Sequence, residues 1–103
     1  MSEMTFTRNN FEQEVLEADK PVIVDFWAPW CSPCRSMGAV ISQLAEDAGD
    51  AYIVGKVNVD DEPELAADYG IMGIPTVKIF KNGRVTGTSV GFTAPGKIRR
   101  MLE

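Results

Sequence analysis

From Val22 to Val59 the chain reads as strand, long helix, strand, and that order constrains the fold more than any other feature. Val22-Ile23-Val24-Asp25-Phe26-Trp27-Ala28 is an almost unbroken β-branched and aromatic run, interrupted only by Asp25. Continuous apolarity of this kind marks a central strand covered on both faces. Behind it, Cys34, Met37, Ile41, Leu44 and Ala48 recur at alternating steps of three and four. That spacing predicts an amphipathic helix from Cys31 to about Ala48, closed by Gly49. Tyr52 to Val59 supplies the second strand, and two strands joined through a helix lie parallel with a right-handed crossover.

The flanking elements follow from shorter signals. Asn9, with Glu12 three residues on, predicts the start of a first helix that buries Phe11, Val15 and Leu16 and ends before Pro21. A short helix fits Pro63 to Tyr69, with Asp61 or Glu62 as cap and Gly70 beyond its end. Thr76–Phe80 and Val85–Val90 flank Asn82-Gly83, the dipeptide suited to a type I′ turn, so these strands are expected to be antiparallel. Thr93 is expected to cap a last helix that tolerates Pro95 in its first turn and turns Ile98, Met101 and Leu102 inward. The sum is an α/β fold, a mixed sheet between helices. With 103 residues, 45% of them apolar, there is room for one such domain spanning 1–103 and hardly for two.

Composition then removes whole classes of chemistry. Fifteen acidic residues against ten basic ones give a net charge of −5, which disfavours nucleic acid and anionic membranes as partners. No apolar run reaches membrane-spanning length, and Met1 to Phe6 lack the basic and apolar segments of a secretory signal, so the expected location is the cytoplasm. Without any His the chain builds neither a Ser-His-Asp apparatus nor a His-ligated metal site, and two Cys do not close a thiolate zinc site. Gly91 to Lys97 matches most of a phosphate loop, but Ile98 stands where the magnesium-binding Ser or Thr would be. Asp60-Asp61-Glu62 and Glu64 lack the alternating spacing of a calcium loop and read as helix-capping residues. No metal and no dissociable cofactor is expected.

The remaining chemistry lies in Trp30-Cys31-Ser32-Pro33-Cys34. Two cysteines three positions apart at the start of a helix have Cα atoms about 5 Å apart, within disulfide range. On the helical wheel Cys34 falls roughly 40° from the centre of the apolar stripe and Cys31 roughly 100° away, so Cys31 is expected outside and Cys34 inside. At the helix N-terminus unpaired N–H groups and the macrodipole favour a thiolate at Cys31. Cys34, held beside any mixed disulfide at high effective concentration, would resolve it. Where structural disulfides are rare, a lone close pair is better explained as redox-active than as a staple; a zinc half-site or two inert buried thiols are the competing readings.

Neighbouring residues leave alternatives open. A carboxylate inside a central strand is expensive to bury, so Asp25 is either an acid of raised pKa able to accept a proton from Cys34, or an Asp near a strand end with a satisfied side chain. Lys56, among Val54, Val57 and Val59, is its counter-ion or a lysine reaching solvent. Trp30, directly before Cys31, suits an apolar rim for partners, whereas Trp27 reads as core.

Val22 to Cys34, V-I-V-D-F-W-A-P-W-C-S-P-C, resembles the active-site strand and loop of the thioredoxin family, and Tyr69-Gly70-Ile71-Met72-Gly73-Ile74-Pro75-Thr76 resembles its second signature. Phe80-Lys81-Asn82-Gly83 and Gly91 also match, and the likeness runs through essentially the whole chain without insertions. The resemblance implies a thioredoxin fold, a five-stranded mixed sheet flanked by four helices. It further implies a protein-disulfide reductase working by dithiol–disulfide exchange, with Cys31 as nucleophile and Cys34 as resolving cysteine. Asp25 becomes the buried acid behind Cys34 with Lys56 as its neighbour. Ile74-Pro75 becomes a cis bond, and Gly73, Ile74, Pro75, Trp30 and Gly91, with the intervening Ser32 and Pro33, form the client-binding surface. The implied partners are disulfide-containing client proteins and a thioredoxin-reductase-type electron donor, met by a monomer. Ser32 stands where the family usually has Gly, which leaves the reduction potential open, and Ala39 stands where a helix-kinking Pro is usual. Two other functions remain compatible with the sequence: a thioredoxin-fold binding module, and a more oxidising disulfide exchanger.

Overall fold

The computed structural model describes residues 3–103. Its sheet has five strands: β1 (Met4–Thr5), β2 (Val22–Trp27), β3 (Ile53–Asn58), β4 (Thr76–Lys81) and β5 (Arg84–Val90), in the order β1-β3-β2-β4-β5. β2 occupies the centre as its composition requires, parallel to β3 and antiparallel to β4. α1 (Ser32–Asp47) makes the crossover between β2 and β3, followed by α2 (Pro63–Asp68) and, after β5, α3 (Pro95–Met101). The fourth helix is a π-helical turn at Glu12–Leu16. The β4–β5 hairpin turns at Asn82 and Gly83, both with positive φ (52° and 78°), the combination a type I′ turn demands.

Period-two alternation along β2 divides the core. Val22, Val24 and Phe26 point to one face, packing with Phe6, Phe11, Val15, Val57, Leu65 and Phe80. Ile23 points to the other, against Met37, Ile41 and Leu44 of α1, Val77, Ile79 and Ile98. Asp25 and Trp27 share the parity of Ile23, so both lie on the α1 face, close to the turn that carries the cysteines. At the sheet edge β1 pairs with β3, Met4 beside Gly55, and on the face away from α1 the buried Phe6 ring occupies the space a Cβ on Gly55 would need. Gly55→Ala is expected to cost about 1–3 kcal/mol through overpacking. Urea unfolding reads this directly, and an unchanged midpoint would mean that the Phe6 ring moves aside freely.

Helix starts differ from the sequence expectations, and at α2 and α3 another group claims the expected capping side chain. The first helix begins with Phe11 as its N-cap and no side-chain bond; Asn9 does not cap it. Asn10 instead organises the turn before it, accepting from Thr7 N–H (2.8 Å) and donating to Thr5 O (3.0 Å). Glu62 sits at the N-cap of α2, but its carboxylate accepts the backbone N–H of Arg8 (3.0 Å). Ala94, not Thr93, is the N-cap of α3. The buried Thr93 hydroxyl donates to Gly91 O (3.1 Å) and is paired with Ser89 (2.5 Å).

Candidate active site

The site begins where β2 ends. Cys31 is the N-cap of α1 in extended conformation (φ −92°, ψ 111°), and its sulfur accepts the N–H of Cys34 at 3.2 Å. A sulfur thus takes the place usually held by a Ser, Thr or Asp oxygen, satisfying one of the free N–H groups of the first turn. Pro33 lies in that turn, where its missing N–H is no loss. Cys31 and Cys34 are joined as a disulfide, with Cα atoms 5.2 Å apart. The expected contrast in exposure is not there: Cys31 is 5% exposed and Cys34 3%. The bridge folds Cys31 back onto Ala28, and Trp27, Val59 and Ile74 pack against this small cluster.

Two loops approach the disulfide. The Ile74 carbonyl oxygen lies 3.8 Å from the Cys31 sulfur, and Ile74–Pro75 is cis. Gly73 O accepts the Thr76 hydroxyl (2.5 Å), while Gly91 donates its N–H to Pro75 O (2.7 Å). Gly91 adopts a φ of 87°, which a side chain would strain. The geometry therefore brings Cys31, Cys34, Ile74, Pro75, Gly73 and Gly91 together. Ser32 and Pro33 are exposed on the first turn of α1. Trp30 is 67% exposed, and its indole N–H donates to the Asp60 carboxylate (3.0 Å).

Asp60 was not among the site residues read from the sequence, where it counted only as part of a capping run. The available signal was the parallel pairing of β2 and β3, which register Trp27 beside Asn58 and so bring the segments following both strands to one end of the sheet. Met72, Val90 and Phe92 were also missed; all three are exposed apolar residues in or beside the loops that carry Gly73 and Gly91.

Asp25 is fully buried, and neither carboxyl oxygen has a hydrogen-bond partner among the described residues. Burial lifts its pKa from 3.8 to about 7, with the nearby charge of Lys56 acting in the opposite direction. Lys56 pairs with Asp25 in the β2–β3 register, but its ammonium lies over the Trp27 ring, 4.4 Å from the centroid. Trp27 is therefore half-buried, with one face turned to a cation, and not a core residue as its place in the strand suggested.

The Thioredoxin family model matches residues 2–103. The chain belongs to the thioredoxin family. It is 48% identical over 103 residues to a thioredoxin of Porphyra purpurea, covering 100% of this chain and 96% of that one. With thioredoxin 1 of Synechococcus elongatus it shares 51% identity over 97 residues, 94% of this chain and 91% of the relative. With a thioredoxin of Chlorobaculum thiosulfatiphilum the figures are 45% over 97 residues, 94% and 90%. Family membership and a Cys31–Cys34 pair at disulfide distance make the chain a thiol–disulfide oxidoreductase, a protein-disulfide reductase of the thioredoxin type. The family's chemistry runs on the cysteine pair without a cofactor. Among the described residues no group of three or more Cys, Asp or Glu is placed to hold a metal ion, and no helix is long and apolar enough to cross a membrane.

Proposed function

We propose that the chain reduces protein disulfides by a two-step exchange in which Cys31 attacks and Cys34 resolves. The Cys31 thiolate attacks one sulfur of a client disulfide; a Cys31–client mixed disulfide forms, and the other client sulfur leaves as a thiolate that takes up a proton. Cys34 then loses its proton to Asp25 and attacks the Cys31 sulfur. The Cys31–Cys34 disulfide forms, and the second client sulfur leaves as a thiolate that takes up a proton, Asp25 giving up the one it accepted. Two electrons and two protons pass to the client. A thioredoxin-reductase-type donor returns the pair to the dithiol.

The observation that carries this reading is the N-cap bond from Cys34 N–H to the Cys31 sulfur. It places the Cys31 sulfur at the positive end of α1, where a thiolate is stabilised, although the two residues are almost equally buried. Trp30, Ser32, Pro33, Gly73, Ile74, Pro75 and Gly91 form the client-docking surface in this reading, and Lys56 is the cation neighbouring Asp25. The protein acts in the reducing cytoplasm, as a single domain and a monomer, on disulfide-containing client proteins.

Insulin reduction with dithiothreitol as electron source tests the function. The protein should accelerate precipitation of the free insulin chain well beyond dithiothreitol alone; equal rates would end the reading. Trp30→Ala should raise KM for insulin about tenfold with kcat little changed, because an exposed aromatic at a docking surface contributes to binding and not to sulfur chemistry. Steady-state kinetics at varied insulin separates the two constants. A fall in kcat at unchanged KM would remove Trp30 from the docking surface.

A further inference from the structure

Lys56 stands directly across from the buried Asp25 in the β2–β3 register, yet no ion pair joins them. The ion pairs among the described residues are Arg8–Glu64 and Arg99–Asp47, and both Asp25 oxygens are without a partner. The charged form of a buried carboxyl is costly without a paired cation, and Lys56 is the cation that the register places beside it. Here the ammonium rests over the Trp27 indole, 4.4 Å from the ring centroid. Trp27 is two residues along β2 from Asp25 and points to the same side of the sheet, so the ring and the carboxyl are alternative resting places for one side chain.

We infer that Trp27 is a positioning residue for the exchange reaction: its indole face holds the Lys56 ammonium off the Asp25 carboxyl and thereby governs when that acid carries a proton. The other groups around the ammonium do not account for its place. Glu3 and Asp61 line the same cleft of about 410 Å³ with Thr5, Trp27 and Asn58, but neither forms an ion pair with Lys56. The Glu3 carboxylate accepts the Ser42 hydroxyl (3.0 Å). α1 presents Gly38, where a Cβ would lie 3.7 Å from the ammonium, so the helix contributes space and no charge there. The aromatic face is the remaining attraction, and tryptophan offers the strongest of the three aromatic rings.

With the ammonium on the ring, Asp25 is a buried acid that keeps its proton up to about neutral pH. With the ammonium on the carboxyl, the ionised form would be favoured and the acid would be a poorer acceptor for the Cys34 proton. The inference rests on the proposed role of Asp25, but its test reads the carboxyl itself and not the exchange rate.

The experiment is a carbon-13 NMR titration of the Asp25 carboxyl in the wild type, Trp27→Leu, Lys56→Met and the double variant. Trp27→Leu should weaken the proton affinity of Asp25 tenfold or more, on the order of what a close cation does to a carboxyl. In the Lys56→Met background the same substitution should leave it nearly unchanged. An equal weakening in both backgrounds would mean that water entry, not the released lysine, is responsible, and would overturn the inference. So would no weakening, or a strengthening. Should Trp27→Leu fail to fold, Trp27→Phe carries the test with a smaller change of the same sign, because phenylalanine holds a cation less firmly. In the wild type the Lys56 ε-methylene protons should be shifted upfield by the indole ring current; ordinary shifts would refute the contact without any variant. An Asp25→Asn variant whose pH profile of exchange matches the wild type would instead sink the acid's proposed role and leave the Lys56–Trp27 contact standing.

Discussion

Cys31→Ser is expected to lower insulin reduction on the order of 10³-fold or more, to the rate of the small-molecule dithiol alone. The loss is this large because a hydroxyl forms no mixed disulfide and the remaining Cys34 thiol lacks the N-cap position that favours a thiolate; removing the nucleophile removes the pathway and not one contribution to it. Cys34→Ser behaves differently. It retains the sulfur at the N-cap of α1, so it should attack once and then accumulate as a covalent adduct with the client, seen as a mass increase under non-reducing conditions and lost on adding dithiothreitol. If Cys34→Ser turns over normally while Cys31→Ser forms the adduct, the two roles are exchanged. Iodoacetamide applied to the reduced protein at neutral pH gives an independent reading. In the bridged form the two residues are almost equally buried, 5% and 3% exposed. Cys31 is expected to label faster, through the thiolate that the helix N-terminus favours, and faster labelling of Cys34 would count against that assignment.

Asp25→Asn is expected to make the protein more stable at pH 8 by about 2–4 kcal/mol, with the gain disappearing toward pH 4. The sign follows from the raised pKa: about 7 in the folded protein against 3.8 for an unperturbed aspartate. Between those values the folded state binds the proton and the unfolded chain does not, so stability falls as pH rises from about 4 through 7 and levels off above. The full difference corresponds to about 4 kcal/mol, and the unpartnered amide of the variant retains part of the burial cost. Urea unfolding of both proteins from pH 4 to pH 8 decides the matter; curves that run parallel across the range would show that Asp25 titrates normally. The same substitution is expected to slow closure of the Cys31–Cys34 bridge above neutral pH, since the proposed acceptor for the Cys34 proton is then missing. A stabilising change that slows the reaction is the pattern of a group retained for chemistry at the expense of the fold.

Much of this architecture is legible in one dimension because it depends on periodicities that each element carries alone. The all-apolar run of β2, the three-and-four spacing of α1, the Asn82-Gly83 turn and the parallel β2–α1–β3 unit all appear where their residues place them. So does the separation of Cys31 and Cys34, because helix geometry fixes it before anything packs. β1 is a different case. Two residues, Met4 and Thr5, carry no readable period and become a strand only because the exposed edge of β3 accepts them; the fifth strand was implied by family resemblance and not by the residues.

Local spacing is thus enough for the order and kind of the long elements and for the place of the dithiol at the start of one of them. Which partner each polar group finds depends instead on the packing of segments far apart in the chain. Thr93 is spent on Ser89 and Gly91 and Glu62 on Arg8, which leaves two helices without the expected side-chain caps. The Trp30 indole finds Asp60, and the Lys56 ammonium lies over Trp27 and not against Asp25. The physical reason is competition: a side chain's spacing limits which face it occupies, but its hydrogen bond or ion contact goes to whichever group the packed strands and loops bring nearest, and distance across elements is not encoded in distance along the chain.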